Sequence, residues 1–390
     1  MKLNYWLIIL LVLLSPSQLG LHFWPEWSFV DGIKIDYLSP TIYLTDLLLG
    51  GLFIITAIKF RNSKFLKVLG AVFLGLVLLS GKGNPSSAYW SLRYLQIPIL
   101  AWLIYVNGQK TVVIAGIRRC LSLPLLFTLV LELCQFTLKR STELWWIFGE
   151  RSFSLATPNI ATIDILGQRF LRPYATFSHP NALAGWLLLA MFIIWDSKFK
   201  RLLALGGILL TFSRNAIFAS AAGVLFYSTL SNQNHFQSLI TFSSSSFSDR
   251  NTLNQIATNI FFANPIFGIG PGKFISALPD YFPPGFWNLQ PPHNVFFLIL
   301  AETGIFGILI LGLCLFKIYP LLKSSKQFYP GAMAILFTSL FDHYWITSQQ
   351  NRIILGVFLG LWLLSGLRGD YQTTVPTVSL GVRRNVSSRR

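Results

Sequence analysis

Asn294-Val-Phe-Phe-Leu-Ile-Leu-Ala-Glu302-Thr-Gly-Ile-Phe-Gly-Ile-Leu-Ile-Leu-Gly-Leu-Cys-Leu-Phe316 carries one charged side chain, Glu302, in an otherwise apolar run. About 20 such residues are enough to cross the ~30 Å hydrocarbon core of a bilayer as a helix. Lipid offers backbone amides no partners, so only helices and closed barrels span it. The run is continuous and not alternating, which selects the helix. Comparable runs recur near 5–21, 41–58, 68–80, 91–106, 120–138, 182–195, 202–230, 328–345 and 351–367. Composition agrees, with 53% hydrophobic and 12% charged residues and a mean hydropathy of +0.57. The expected fold is all-α: a polytopic integral membrane helical bundle with about ten transmembrane helices.

A net charge of +17 would suit a nucleic-acid binder. Here the basic residues sit in short loops and the tail, where membrane topology puts them, and no nucleic-acid partner is expected. Lys59, Arg61, Lys64 and Lys67 mark one cytoplasmic loop. Lys110, Arg118 and Arg119 mark the next, then Lys198, Lys200 and Arg201, then Lys317, Lys323 and Lys326. Arg368, Arg383, Arg384, Arg389 and Arg390 form a basic tail, expected to be disordered after Gly369. Both termini are then cytoplasmic, with the first helix retained despite its likeness to a signal peptide. Two long loops, Lys139 to Asn181 and 231–293, fall on the outer face. The stretch 202–230 is interrupted by Ser213-Arg214-Asn215 and crosses either once, as a long, tilted or broken helix, or twice. The parity of the later basic loops favours one crossing. Cys120, Cys134 and Cys314 lie in apolar segments without metal-ligand spacing and read as small core residues.

The polar residues of the two outer loops are the candidates for chemistry. Arg169-Phe-Leu-Arg172 precedes His179-Pro180-Asn181. Guanidinium forks grip a phosphate bidentately and stay charged, although proline in the first turn of a helix and arginines at lipid headgroups are also ordinary structure. Asp249-Arg250 follows a serine-rich run. Asn264-Pro-Ile-Phe-Gly268-Ile-Gly270-Pro-Gly272-Lys273-Phe274 lacks the strand–helix context of a nucleotide loop and reads as a tight turn between short helices. His293 titrates near neutrality and suits a general base, or else forms a helix-capping pair with Asn294. Glu302, inside a span, needs a polar neighbour such as an arginine, Arg214 included. Glu132 is a similar acid with no evident partner. His22, His235 and His343 have no supporting neighbours and read as surface or interface residues. Trp145, Trp146, Tyr281, Phe282 and Trp287 fit an interfacial aromatic belt, with sugar stacking as the alternative.

Taken in order, several elements resemble the O-antigen ligase and polymerase family over roughly 170–310. They are Arg172-Pro-Tyr-Ala-Thr-Phe-Ser-His179-Pro-Asn181, Thr211-Phe-Ser213-Arg214, Asp249-Arg250, the Asn264–Phe274 turn, and His293-Asn294 with Glu302-Thr-Gly304-Ile-Phe-Gly307. The resemblance implies a C-type membrane glycosyltransferase on the outer face of the bacterial cytoplasmic membrane. It implies an undecaprenyl diphosphate-linked glycan donor and a glycan, lipid or protein acceptor, with membrane lipids as surroundings and no metal, nucleotide or other cofactor. By that likeness Arg172 and Arg250 hold the diphosphate and His293 is the base of a single inverting displacement. Arg169, His179, Asn181, Arg214, Asn294 and Glu302 are the expected substrate-binding set. The chain then divides into N-terminal helices and first outer loops (1–169), a ligase-like core (170–310) with a catalytic loop at 231–293, C-terminal helices (311–367) and the tail (368–390).

Three features depart from the family pattern. Ala175 stands where a glycine is expected. The span count is ten and not about twelve. Only about thirty-five residues separate Ser213-Arg214 from Arg250, which leaves the place of Arg214 open. Ligase and polymerase stay unresolved at this level, as do the sugar, linkage, acceptor and oligomeric state. A flippase or transporter of the same lipid-linked glycan is the alternative from another class. Such proteins show paired repeats and interrupted helices at the midplane, and no repeat is visible here.

Overall fold

The computed structural model describes residues 2–108, 110–229 and 245–367. Helices dominate. The first half contains α1 (Lys2–Leu13), α2 (Leu44–Lys59), α3 (Lys64–Gly75), α4 (Pro85–Asn107), α5 (Lys110–Cys120) and α6 (Ser122–Leu138). The middle contains α7 (Pro180–Ile193), α8 (Lys198–Leu210), α9 (Arg214–Thr229), α10 (Ser245–Ala263) and the single turn α11 (Phe274–Ala277). The last third contains α12 (Val295–Leu322), α13 (Tyr329–Ser339), the short α14 (Tyr344–Thr347) and α15 (Gln349–Gly366). The all-α expectation needs one amendment, because the loops after α1 and α6 fold into two-stranded antiparallel ribbons. Strand β1 (Gly20–His22) pairs with β4 (Thr41–Tyr43), β2 (Phe29–Val30) with β3 (Ile33–Lys34), and β5 (Thr162–Ile165) with β6 (Gln168–Leu171).

The bundle is built around α4, α7 and α15. On α15, Gly356 and Gly360 form a small-xxx-small stripe. A Cβ at Gly356 would lie 3.2 Å from the Ile97 carbonyl, and one at Gly360 3.1 Å from that of Ala101. The stripe lets α4 and α15 approach backbone to backbone, as small residues do between helices in lipid. Helix α7 is buried over nearly its whole length. The peripheral helices do the reverse and point large apolar side chains outward: Leu47 and Ile58 of α2, Leu123 and Leu126 of α6, Leu309, Leu313 and Phe316 of α12. A surface like this is unfavourable in water and fits lipid.

Among the described residues, Thr111–Leu138 and Val295–Leu322 are long and apolar enough by themselves to cross a membrane. Several expected boundaries move. The first helix ends at Leu13, and residues 20–22 join a ribbon. The loop expected after residue 106 is largely the helix α5, which leads almost directly into α6. The stretch 202–230 is two helices, broken at Thr211-Phe212-Ser213, where Phe212 adopts a positive φ of 52°. Helix α8 returns beside α7, and α9 packs along α13 and α7, so the pair forms a hairpin and not one tilted rod. Cys314 is exposed on α12 and is not a core residue. His235, residues 242–244 of the serine-rich run and the basic tail lie outside the described residues.

Candidate active site

The site gathers at the ends of helices. Gln135, near the end of α6, shapes its first wall. Its side-chain oxygen accepts the Tyr174 and Ala175 amides at 2.9 and 2.8 Å, and its Nε2 donates to the Ala175 carbonyl at 2.9 Å. This clamp holds Ala175 at a φ of 47°, a left-handed conformation that glycine adopts without cost. The turn explains why glycine is the expected residue there and shows how alanine is tolerated. Beyond it, His179 caps α7: its Nδ1 accepts the Asn181 amide at 3.1 Å, and Pro180 fills the first helical position. An accepting Nδ1 makes His179 neutral, with its proton on Nε2.

A chain of hydrogen bonds then runs across three segments. Arg172 donates from Nε to the Thr211 carbonyl at 2.9 Å and from Nη2 to Asn181 Oδ1 at 2.8 Å. Asn181 Nδ2 donates to Asp342 Oδ2 at 2.9 Å, and Asp342 Oδ1 accepts the His343 amide at 2.9 Å. The break between α8 and α9 thus serves the site by presenting the Thr211 carbonyl, and it brings Arg214 into the field of Arg172. Arg250 of α10 donates to the Phe341 carbonyl at 3.4 Å. The rings of His293 and His343 lie 5.3 Å apart at 66°, and Tyr37 meets His343 edge-on at 5.8 Å. Arg151 donates to the Ser178 carbonyl at 2.7 Å.

The electrostatics of this cluster follow from burial. Burial holds His293 and His343 below the ordinary imidazole value, while Asp342 pulls the other way. The protein mass around His179 lowers it too. Burial opposes the charge of Asp342, yet His343, His293, His179 and Arg250 outweigh it and keep the carboxyl below its usual range. Burial lowers Arg172 to about 10, still cationic at neutral pH. Tyr37 is pushed up to about 12 by burial and by Asp342, and stays protonated. At pH 7 the cleft therefore holds neutral imidazoles and one carboxylate among arginines. His293 Nδ1 is buried without a hydrogen-bond partner, and only two of the five N–H groups of Arg172 are spent. Such a site has free donors for an anion and a free base for a proton.

Arg172, His179, Asn181, Arg214, Arg250 and His293 are thus brought together. Asn294 stands beside them with its side chain occupied, capping α12 through Phe296 and Phe297 and donating to the Leu340 carbonyl at 3.2 Å. Arg169 is exposed on β6 opposite Asp164. Glu302 belongs elsewhere and, among the described residues, takes no arginine partner. It accepts the Gly272 and Phe274 amides at 2.8 and 3.1 Å and the Tyr94 hydroxyl. Around it, α12 opens at Gly304 and knits to the preceding turn, with Ile269 and Gly270 amides on the Ala301 and Glu302 carbonyls and Ile305 and Phe306 amides on Pro265 and Ile266. A Cβ at Gly304 would lie 2.5 Å from the Ile266 backbone, so the two glycine motifs are one backbone joint. This joint sets the helix of Arg250 against the helix that starts beside His293.

Asp342 and His343 are the residues that sequence reasoning missed, and His343 is no surface residue: only 7% of it is exposed. Their only signal is a polar pair closing an apolar run. Arg151 and Tyr37 carried no signal either.

The chain is thus a helical bundle with an apolar exterior and a cationic cleft with neutral imidazoles at its helix ends. Residues 173–312 match the family model of the O-antigen ligase domain. That family is one of bacterial integral membrane ligases and polymerases, and the likeness covers this stretch of the chain. The match covers the cleft residues from Tyr174 to His293 and stops short of Asp342 and His343. No curated protein matches the chain.

Proposed function

We propose that this protein transfers a glycan from an undecaprenyl diphosphate carrier to an acceptor hydroxyl, at a cleft on the outer face of the cytoplasmic membrane. The observation that carries the reading is the meeting of Arg172, Arg214 and Arg250 with His293 around Asp342. The basic loops support a multi-pass topology with cytoplasmic termini, and the site joins the 170–310 core to the 340–343 loop.

In this mechanism the acceptor oxygen attacks the anomeric carbon as the bond to the diphosphate oxygen breaks. The acceptor proton passes to His293, and the electron pair leaves with the diphosphate. Charge grows on the leaving group, so fixed guanidinium groups stabilise the transition state more than the ground state. Burial disfavours the charged form of His293 and makes it a weak base. A bound dianionic headgroup raises its basicity, so base strength rises when the donor is in place. Asp342 then balances the imidazolium. One displacement inverts the anomeric centre.

The test is a reconstituted transfer assay with a polyprenyl diphosphate-linked oligosaccharide and glycolipid, peptide or carrier-linked acceptors. A product that depends on His293 supports the reading, and the acceptor that works separates ligase from polymerase. Donor binding without product on any acceptor would turn the assignment towards a transporter.

A further inference from the structure

A groove of about 620 Å³ lies between α2, α3 and α4, away from the cleft. Its size is within the range of about 300–1,000 Å³ typical of small-molecule sites. Phe53, Leu66, Leu69, Phe73, Leu92 and Ile99 line it. Two walls are thinned by glycine: a Cβ at Gly50 or Gly70 would meet nothing within 4 Å. Glycine inside a helix is unfavourable by roughly 1 kcal/mol against alanine. Nothing in the packing of α2 or α3 requires these two, and both border the groove.

One end of the groove is polar, formed by Thr41, Asp46, Arg93 and Gln96. Arg93 has no charge to spare there. It donates to Asp46 at 2.7 Å, to the Tyr89 hydroxyl at 2.8 Å and to the Thr41 carbonyl. A phospholipid phosphate at this end would find no free cation. The polar end is nonetheless close to the cleft. Thr41 is four residues beyond Tyr37, whose ring touches His343, and four residues reach at most about 14 Å. Arg172 keeps N–H donors unspent in the cleft, and the polar end of the apolar groove lies within that reach of it.

We propose that this groove binds the isoprenoid chain of the lipid-linked donor, with its diphosphate in the cleft. The proposal rests on the donor class assigned above. It assigns chain-length recognition to α2, α3 and α4, which contribute no residue to the chemistry.

Two measurements test it. Gly50→Leu together with Gly70→Leu fills the groove from positions with open space beyond them, so folding is retained. Transfer kinetics with a long-chain donor should show KM raised by about tenfold with kcat kept. A donor with a two-isoprene chain should show no change. Equal effects on both donors would overturn the groove. The second measurement needs no turnover: a polyprenyl monophosphate bearing a diazirine in its chain is photolysed with wild-type protein in phosphatidylglycerol vesicles. Labels should fall on α2 and α3 and be displaced by polyprenyl diphosphate, even if the transferase assignment fails. Labels elsewhere, or equal displacement by added phosphatidylglycerol, would overturn the proposal.

Discussion

Two arginine networks in this molecule are built from the same residue types and differ in what they leave unspent. In the bundle, Asp46 accepts from Arg93, Gln96 and Gln349, at 2.7, 2.7 and 2.9 Å. Arg352, itself fully buried, donates to Gln96, Gln349 and the Ile346 carbonyl. These donors are consumed inside the protein, and the network ties α2, α4 and α15 together. In the cleft, Arg172 spends two donors, His293 Nδ1 has no partner, and the backbone carbonyls of broken helix ends supply the remaining contacts. A buried charge with every hydrogen bond filled is structure. A partly filled set beside an opening is a place for a ligand.

The largest test of this contrast is His293→Ala. Transfer should fall by about 10²- to 10⁴-fold, the scale of a lost general base, while the melting temperature in detergent stays near wild type. Wild-type turnover would remove His293 as the base. Asp46→Asn should do the converse and cost about 3–5 kcal/mol of stability, since it leaves Arg93 buried beside Arg352 without a counter-charge. An unchanged melting temperature would break the claim that this network holds the helices. Arg172→Lys keeps the charge and loses the fork, and kcat/KM should drop by about 10- to 100-fold. A full rate would mean that only charge matters at that position.

Acid should distinguish the networks further. His343 is depressed by burial, so its folded form is neutral. Its contribution to stability is whole above pH 6.5 and is lost as the pH falls below that. Asp342, also depressed, keeps its contribution until stronger acid. Melting temperature should therefore decline from pH 7 to pH 5, and His343→Asn should flatten the decline; an unaltered slope would place the titration elsewhere. The smallest expected effect is at Ala175, where Ala175→Gly should relieve about 1 kcal/mol of left-handed strain and raise the melting temperature by a degree or more. A lower value would show that the Gln135 clamp has already absorbed the strain.

The cleft was legible where chemistry coincided with chain punctuation. His179-Pro180-Asn181 and His293-Asn294 each open a helix, and Arg172 is held by a turn whose glycine preference is visible in the pattern. Asp342 and His343 were not legible, because a polar pair after an apolar run looks the same at a lipid interface as in a buried site. Asn181, the partner of Asp342, is far off in the sequence. The hairpin of α8 and α9 was hidden for another reason. Charge parity counts crossings, and it is blind to a break at 211–213 that exists to offer the Thr211 carbonyl to Arg172. Glu302 misled because a lone acid in an apolar run calls for a cation, and backbone amides answered instead.

The opened segment of α12 also bears on how such a chain is made. Glu302 sits in the most apolar run of the sequence, where an acid is costly to place in lipid. Its partners are Tyr94, Gly272 and Phe274, and every one of them precedes it in the chain. Synthesis runs from the N-terminus, so the groups that receive this carboxyl have already been made when α12 emerges. The order of the residues along the chain is an order of assembly, in which the acid arrives last at a socket built before it.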